Sequence, residues 1–262
     1  MSTDKMIAKK ENGIGWMIFN NPERHNAVSL EMWVAALEIM ADFRADPSIR
    51  VMVLAGNGGK AFVSGADISK FKDERQDADA RERYQTTTEK VYVELQAMPM
   101  PTITMIRGYC IGGGTAIAVC SDLRICTENS KFGVPAAKLG LGYGMSRAKP
   151  LIDLVGPSFA MEMFFTGRQF DAGEALRMGL VNRVVADDAL EATVGEMART
   201  IADNAPLTVR AAKMVVRELV KDRTDRNVAA CEAAVKACFA SNDYKEGQAA
   251  FLEKRKPKFT GK

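Results

Sequence analysis

The sequence predicts an α/β fold, because short apolar runs alternate with helical patterns in its first half and helical patterns dominate afterwards. Val51–Ala55 and Thr102–Ile106 are five-residue runs without a charge, which is typical of strands buried on both faces. Apolar residues between positions 30 and 40 recur at helical spacing. The 262 residues are enough for one large domain with a substantial core.

The elements of the first half follow from these runs and from their end signals. Ser29 is predicted to cap a helix that runs to about residue 45, with Glu31 near its positive end. The sequence 57–59, Asn-Gly-Gly, predicts a turn. A charged segment, 70–83, precedes a helix that ends near Met98. The predicted strands are Gly15–Phe19, Val51–Ala55, Thr102–Ile106 and Val181–Val185.

The last part of the chain is predicted to be mostly helical. Ser158 and Asp171 have the features of helix N-caps, and Gly179 those of a C-terminal stop. Four helical patterns follow from about Leu190, and Pro206 falls at the first position of one of them.

Composition excludes several function classes. A net charge of +3, from 36 Lys and Arg against 33 Asp and Glu, is too weak to indicate nucleic acid or an anionic membrane as the main partner. His25 is the only histidine, so a multi-histidine metal site is impossible and a Ser-His-Asp triad would need His25 as its base. The five cysteines form no C-x-x-C pair, and we expect free, mostly buried thiols. With neither a leader pattern nor a stretch of about 20 apolar residues, we expect a cytoplasmic protein.

Two glycine-containing loops, 61–68 and 108–114, each follow a predicted buried strand. Glycine lets backbone N–H groups approach a ligand closely, and a glycine run that opens a helix adds the positive end of the helix dipole. If the loops meet, two N–H groups can hold one oxygen between them as an oxyanion hole. Tight packing of strand and helix explains the second loop equally well. Its spacing matches neither a phosphate-binding nor a dinucleotide-binding loop, and Asp67 also suits a helix cap.

These loops and other motifs resemble the crotonase superfamily, the enoyl-CoA hydratase/isomerase family. In chain order the matching motifs are Arg24-His25-Asn26-Ala27, Ala61-Phe62-x-Ser64-Gly65-Ala66-Asp67-Ile68, Gly108-Tyr109-Cys110-Ile111-Gly112-Gly113-Gly114, Phe132-Gly133-Val134-Pro135 and Leu139-Gly140. The later ones are Phe165-Thr166-Gly167-Arg168, Ala172-x-Glu174-Ala175, Gly179-Leu180-Val181-Asn182 and Phe251-Leu252-Glu253-Lys254-Arg255-x-Pro257-x-Phe259. The resemblance runs from about residue 7 to 259.

The resemblance implies a crotonase-like spiral of ββα units over residues 1–200, carrying an acyl-CoA site, and a helical region over 201–262 that forms a homotrimer or, by stacking, a hexamer. It implies an acyl-CoA thioester whose carbonyl oxygen lies between the N–H groups of Ala66 and Gly113. No metal and no cofactor is implied, coenzyme A being part of the substrate. The remaining binding residues implied are Arg24, Ala27, Ser64, Gly65, Asp67, Ile68, Gly112 and Lys258.

The sequence departs from the family pattern at the acid/base positions. Where similar hydratases carry two glutamates, this chain has Ala116 and Ala136, and where isomerases often carry a carboxylate it has Gly144. Alanine and glycine transfer no proton. Two-glutamate hydration is therefore not expected, and a reaction such as decarboxylation or isomerisation is.

Tyr143 is the polar residue that remains, and it resembles a tyrosine of the family's methylmalonyl-CoA decarboxylases. Decarboxylation suits a site without a strong base, because loss of CO₂ makes the enolate directly. Tyr143 is either a weak acid in that reaction or a packing residue. Other candidates are His25, in the loop resembling the CoA-binding one, and the segment Glu74, Arg75, Asp77 and Asp79. A catalytically silent acyl-CoA-binding or assembly protein is the alternative.

Overall fold

The computed structural model describes residues 3–70, 74 and 76–262, in which strands and helices alternate as an α/β fold. Its strands are β1 (Met6–Glu11), β2 (Ile14–Phe19), β3 (Val51–Gly56), β4 (Ala61–Val63), β5 (Thr102–Ile106), β6 (Tyr109–Ile111), β7 (Leu123–Thr127), β8 (Lys131–Gly133), β9 (Phe170–Asp171) and β10 (Arg183–Val185). Its helices include α1 (Leu30–Ala45), α2 (Ala78–Gln96), α3 (Gly113–Cys120), α4 (Met145–Thr166), α5 (Ala172–Arg177), α6 (Leu190–Asp203), α7 (Pro206–Leu219), α8 (Val228–Ala240) and α9 (Asn242–Leu252).

The strands form two sheets, in the orders β1-β2-β3-β5-β7-β10 and β4-β6-β8-β9. β1 and β2 pair antiparallel, and from β2 to β10 the first sheet is parallel. Along the chain, β3, β5 and β7 enter the first sheet, and the strand after each of them enters the second. Each β-β-α unit therefore adds one strand to each of the two sheets, which confirms the predicted α/β spiral.

The core follows from the alternation of side chains along the parallel strands. Met52 and Leu54 of β3 point into the larger cluster, which includes Trp33 of α1. Val51 and Val53 point the other way, into a cluster covered by α6. β3 is thus buried on both faces, as its unbroken apolar run predicts.

Most predicted elements are confirmed, with errors at ends and at short strands. β1, β4, β6, β7, β8 and β9 were not predicted. Ser158 is not an N-cap. α4 is interrupted at Gly156, which has φ +75°, and the helix resumes at Pro157, so that Ser158 already lies inside it. Asp171 caps α5 with a full capping box, and Gly179 follows that helix with φ +78°. Four helices follow from Leu190, and Pro206 opens α7.

The end of the chain is attached to the sheet by polar contacts. Lys213 and Arg217 of α7 both contact the Asp122 carboxylate, at 2.6 and 3.0 Å. Arg50 donates hydrogen bonds to the carbonyls of Ala202 and Phe259. The division into 1–200 and 201–262 stays a prediction. In the part of the chain described, no helix is long and apolar enough to cross a membrane.

The cysteines agree with the sequence expectation. All five are free, and Cys110, Cys120 and Cys126 are buried. Burial raises the pKa of Cys120 and of Cys126 to about 12, so both remain thiols at neutral pH.

Candidate active site

The two glycine-containing loops meet at the ends of β4 and β6. These strands are neighbours in the second sheet and run parallel, so the chain leaves both at the same edge. Gly65 and Gly112 have φ +118° and +55°, conformations that favour glycine. A Cβ built on Gly113 would lie 3.8 Å from the Cα of Gly65. The two loops therefore meet, which is the condition that two N–H groups must fulfil to hold one oxygen between them.

The backbone N–H groups of Ala66 and Gly113 have no acceptor among the residues described. Val28 forms a parallel bridge with Ala66 that leaves the Ala66 N–H unused. The Val28 N–H donates to the Gly65 carbonyl, and the Val28 carbonyl accepts from the Asp67 N–H. Gly113 is the first residue of α3, where an N–H has no partner within the helix. The two adjacent loops thus provide two backbone N–H donors, and the one at Gly113 lies at a helix N-terminus.

Buried polar contacts hold the second loop in place. The Gly112 N–H donates to the Gly133 carbonyl at 2.7 Å. The Thr115 hydroxyl lies 2.7 Å from the Cys110 carbonyl oxygen and 3.0 Å from that of Gly133, tying the first turn of α3 to β6 and β8. Trp33 packs beneath, with Cζ2 3.7 Å from a Cβ built on Gly113. The hydrogen bonds of Gly112 and Thr115 and the packing of Trp33 therefore hold the Gly113 N–H in its orientation.

A cavity of about 420 Å³ opens beside these donors. Its polar and aromatic lining comes from Trp33, Ser64, Arg81, Tyr84, Gln85, Thr88, Tyr92, Tyr143 and Arg147. The remainder of its wall is apolar or glycine and includes Gly65, Ala66, Ile68, Gly112, Gly113 and Ala136. Among the residues described, no Asp or Glu lines it.

Tyr143 stands on the wall of this cavity beside Arg147. Its ring centroid lies 5.0 Å from that of Phe164, and the guanidinium carbon of Arg147 lies 5.0 Å from the Tyr143 centroid. Burial raises the pKa of Tyr143 well above its usual value, although Arg147 acts in the opposite direction. Tyr143 is therefore protonated at neutral pH and can donate a proton or a hydrogen bond.

One face of α2 lines the cavity, and the sequence reasoning missed it. Tyr84, Thr88 and Tyr92 are four residues apart, so they lie on one face of the helix. Trp33 donates a hydrogen bond from Nε1 to the Tyr84 hydroxyl at 3.1 Å and packs edge-on against Tyr92. The four-residue spacing of large polar side chains was the available signal.

The loop containing Arg24 and Ala27 is joined to the first glycine-containing loop. The Ser64 N–H donates to the His25 carbonyl at 3.1 Å, and the Ser64 hydroxyl lies 3.4 Å from the Arg24 carbonyl oxygen. Buried Asn26 donates to the Asn57 and Ala61 carbonyls, fixing this loop to the start of β4. The Arg24 side chain is exposed. Its predicted role and that of Ala27 in CoA binding stay predictions.

The other predicted binding residues differ in position. The Asp67 carboxylate accepts from the N–H and hydroxyl of Ser69, so it caps the turn that follows. Ile68 lines the cavity and is 63% exposed. Lys258 lies elsewhere within the chain, where its N–H donates to Glu246 and it lines a separate polar pocket. The role of Lys258 in CoA binding stays a prediction.

Ala116 and Ala136, which replace the two glutamates of similar hydratases, lie in different surroundings. Ala136 lines the cavity, whereas Ala116 is 1% exposed and packs in the core next to it. Glu74 accepts from the Leu30 N–H at 2.8 Å, and Asp77 caps α2. These two, Asp79 and His25 do not line the cavity, and Arg75 lies outside the described residues.

Comparison with known proteins identifies the family of this chain. A family model described as enoyl-CoA hydratase/isomerase matches residues 9–262. The chain belongs to this family. It is 35% identical to the crotonyl-CoA hydratase of Syntrophomonas wolfei over 262 residues, covering 100% of both chains. It is 33% identical to the short-chain-enoyl-CoA hydratase of Clostridium acetobutylicum, with 98% and 97% covered.

Solved structures give the same result for the fold. An enoyl-CoA hydratase/carnithine racemase from Magnetospirillum magneticum matches with a TM-score of 0.92 and 37% identity, covering 100% of this chain and 97% of that one. The crotonase-like fold predicted from the motifs is confirmed, as is membership of the family.

Proposed function

We propose that this member of the enoyl-CoA hydratase/isomerase family acts on an acyl-CoA thioester, forms its enolate, and obtains that enolate by loss of CO₂. The observation that carries the proposal is the cavity wall. It presents the N–H groups of Ala66 and Gly113 together with Tyr143, and no described carboxylate.

The thioester carbonyl oxygen binds between the two N–H groups. As the enolate forms, negative charge moves onto that oxygen, and fixed donors stabilise it more than they stabilise the neutral thioester. Removal of one such donor from an oxyanion hole typically costs about 3 kcal/mol of transition-state stabilisation. This role needs only the backbone of Ala66 and Gly113.

Decarboxylation needs no base. In a malonyl-type half-thioester the bond between Cα and the carboxylate breaks, CO₂ leaves, and the electron pair moves through Cα to the carbonyl oxygen. Tyr143 then gives its hydroxyl proton to Cα, and water restores that proton. The balance is one half-thioester and one proton to one acyl-CoA and CO₂. Burial raises the pKa of Tyr143, so its hydroxyl is protonated at neutral pH and carries the proton that Cα needs.

The test is an assay of the purified protein with methylmalonyl-CoA, ethylmalonyl-CoA and crotonyl-CoA, following CO₂ and the thioester. We expect CO₂ release from at least one malonyl-type substrate and little hydration of crotonyl-CoA. Hydration at a typical median enzyme rate, about 10 s⁻¹, would contradict the proposal.

Two other functions remain as outcomes of this assay. Hydration is favoured by the identity to relatives named as hydratases. A silent acyl-CoA-binding protein is favoured by the cavity wall, which has no carboxylate among its described residues. Binding of acyl-CoA without turnover across the panel would support the second.

We infer that the chain assembles as a homotrimer or a hexamer through α7, α8 and α9. These helices enclose an open apolar groove of about 840 Å³. Its surroundings expose Val216, Leu219, Phe239, Phe251 and Leu252. Exposed apolar area of this kind is typical of an interface. Light scattering should give a trimer or hexamer, and Phe239→Asp should shift it towards the monomer. A monomeric wild type would contradict the inference.

A further inference from the structure

Arg147 is a cation placed inside the acyl cavity. It belongs to the first turn of α4, is half-buried, and lies over the ring of Tyr143 at 5.0 Å. A positive charge in the first turn of a helix is unfavourable with respect to the helix dipole. Local helix stability therefore does not explain this residue.

Unlike Arg107, Arg168 and Arg255, Arg147 has no anionic partner among the residues that the structure describes. Arg107, Arg168 and Arg255 each contact carboxylates at 2.6 to 3.0 Å. In the chain as far as it is described, no Asp or Glu pairs with Arg147, and its guanidinium donates no hydrogen bond. A guanidinium is a fork of N–H donors whose geometry matches a carboxylate.

The described lining of the cavity carries positive charge. Arg81 and Arg147 line it, and no described acidic residue does. Its aromatic wall would suit a quaternary ammonium, but the two cations oppose any positively charged acyl group. The charge of the wall favours an anionic ligand.

Gly144 is the position in the chain from which a side-chain carboxylate could reach Arg147. A Cβ built on Gly144 would lie 4.0 Å from Nη2 of Arg147, with no other atom within 4 Å. A carboxylate side chain at residue 144 could therefore reach the guanidinium, and the sequence provides none. A carboxylate that binds this guanidinium would therefore come from the ligand.

We propose that Arg147 binds a carboxylate on the acyl group, so that the preferred ligands are CoA half-thioesters of short dicarboxylic acids. The proposal rests on the acyl-CoA site of the proposed function and names its substrate class. CoA phosphates are a second source of negative charge. The position of Arg147 beside Tyr143, in the cavity that holds the oxyanion donors, favours the acyl group.

The test is calorimetric binding of succinyl-CoA, butyryl-CoA and free CoA. Succinyl and butyryl groups both have four carbons, and neither loses CO₂ to give a thioester enolate, so binding is measured without turnover. We expect the wild type to bind succinyl-CoA about tenfold more tightly than butyryl-CoA.

Two variants neutralise the positive charge of Arg147 in different ways. Arg147→Gln removes the guanidinium, and Gly144→Asp supplies it with a carboxylate at a position where φ −75° permits any residue. Both should reduce the preference to about twofold or less. Gly144→Ala and Lys149→Gln are the controls, since Lys149 is on the same helix but is exposed and pairs with Asp153. Both should keep the preference.

The outcomes separate this proposal from the previous one. Equal binding of succinyl-CoA and butyryl-CoA by the wild type would overturn the role of Arg147, whatever the reaction. So would a uniform loss of affinity for all three ligands in Arg147→Gln, which would show a phosphate contact. A preserved preference without CO₂ release from malonyl-type substrates would overturn decarboxylation and leave this inference standing.

Discussion

Gly114 packs directly against the backbone of Val63, so that a side chain at residue 114 would overlap the Val63 carbonyl oxygen. This contact brings the start of α3 against β4. The Gly113 N–H belongs to the first residue of α3, and the Ala66 N–H follows β4 by three residues. The close approach of Gly114 and Val63 therefore helps to hold these two N–H groups near each other.

Gly114→Ala should destabilise the protein strongly, because backbone rather than a flexible side chain occupies the space that the methyl group needs. Gly113→Ala is the matched control, since its nearest neighbour lies 3.7 Å away. Thermal unfolding should show a loss of several degrees or more for the first variant and little change for the second. Equal unfolding temperatures would contradict the packing described.

Tyr143→Phe should lower the turnover of a malonyl-type substrate by about 10²-fold or more while KM changes little, because the variant keeps the packing on Phe164 and loses the proton donor. Steady-state assays of CO₂ release check this. Tyr92→Phe removes a hydroxyl from the same cavity and should have a smaller effect. Similar losses in both variants would show that Tyr143 has no special role.

The pH dependence of turnover follows from the raised pKa of Tyr143. A proton donor works in its protonated form, and a raised pKa extends that form to higher pH. We expect no fall in turnover from Tyr143 between about pH 7 and pH 10. A pH–rate profile of the wild type, beside that of Tyr143→Phe, checks this. A fall centred near pH 8 that is absent from the variant would mean that the tyrosine ionises early.

Thr115→Val should impair the site without touching the substrate, because it removes the buried hydroxyl that ties α3 to the Cys110 and Gly133 carbonyls. We expect a loss of about 1–3 kcal/mol in the free energy of unfolding. Turnover should fall more than KM rises, as the Gly113 N–H loses its orientation. Thr115→Ser retains the hydroxyl and should recover most of the turnover. Failure of this rescue would assign the effect to packing.

Asp122→Asn should cost about 2–3 kcal/mol of the free energy of unfolding, because Lys213 is left largely buried without its anion, its side chain being 9% exposed. Asp153→Asn is the control, since its pair with Lys149 is exposed and should contribute less than about 0.5 kcal/mol. Urea denaturation of each variant measures both values. Equal losses would show that burial of the pair is unimportant.

The same carboxylate predicts an acid dependence. Burial acts to raise the pKa of Asp122, but Lys213 and Arg217 outweigh it and lower that pKa below its ordinary value. Its contribution to stability is therefore complete above about pH 4, the ordinary range of Asp, and is lost as the pH falls through the lower value in the folded protein. This part of the acid loss should be absent from Asp122→Asn.

The sequence was most informative where a local pattern has one structural solution. An unbroken apolar run such as Val51–Ala55 must be covered on both faces, and the structure covers it. Asp171 and Glu174 form a capping box at the spacing that the motif requires. The two glycine-containing loops were found from their glycines, whereas Tyr143 was found through the resemblance to the family.

Prediction failed where the partner is distant in the chain. Ser29 sits at the N-cap of α1, but its side chain makes no capping bond, and the Glu74 carboxylate accepts from the Leu30 N–H instead. The α2 face with Tyr84 and Tyr92 reads from sequence as part of an ordinary helix. It becomes a cavity wall only because α2 packs beside α1 and α3.

The sequence by itself determined the α/β class, the family resemblance, the two loops with their N–H donors, and the residues at positions 116, 136 and 144. These are properties of residue type and local spacing. Only the tertiary structure decided that Ala136 faces the cavity while Ala116 is buried, and that Lys258 lies apart from the cavity within the chain. It also decided that Arg147 lies over Tyr143 with no carboxylate partner in the described part of the chain. Those relations join segments that are remote in sequence, and packing of the sheets and helices sets them.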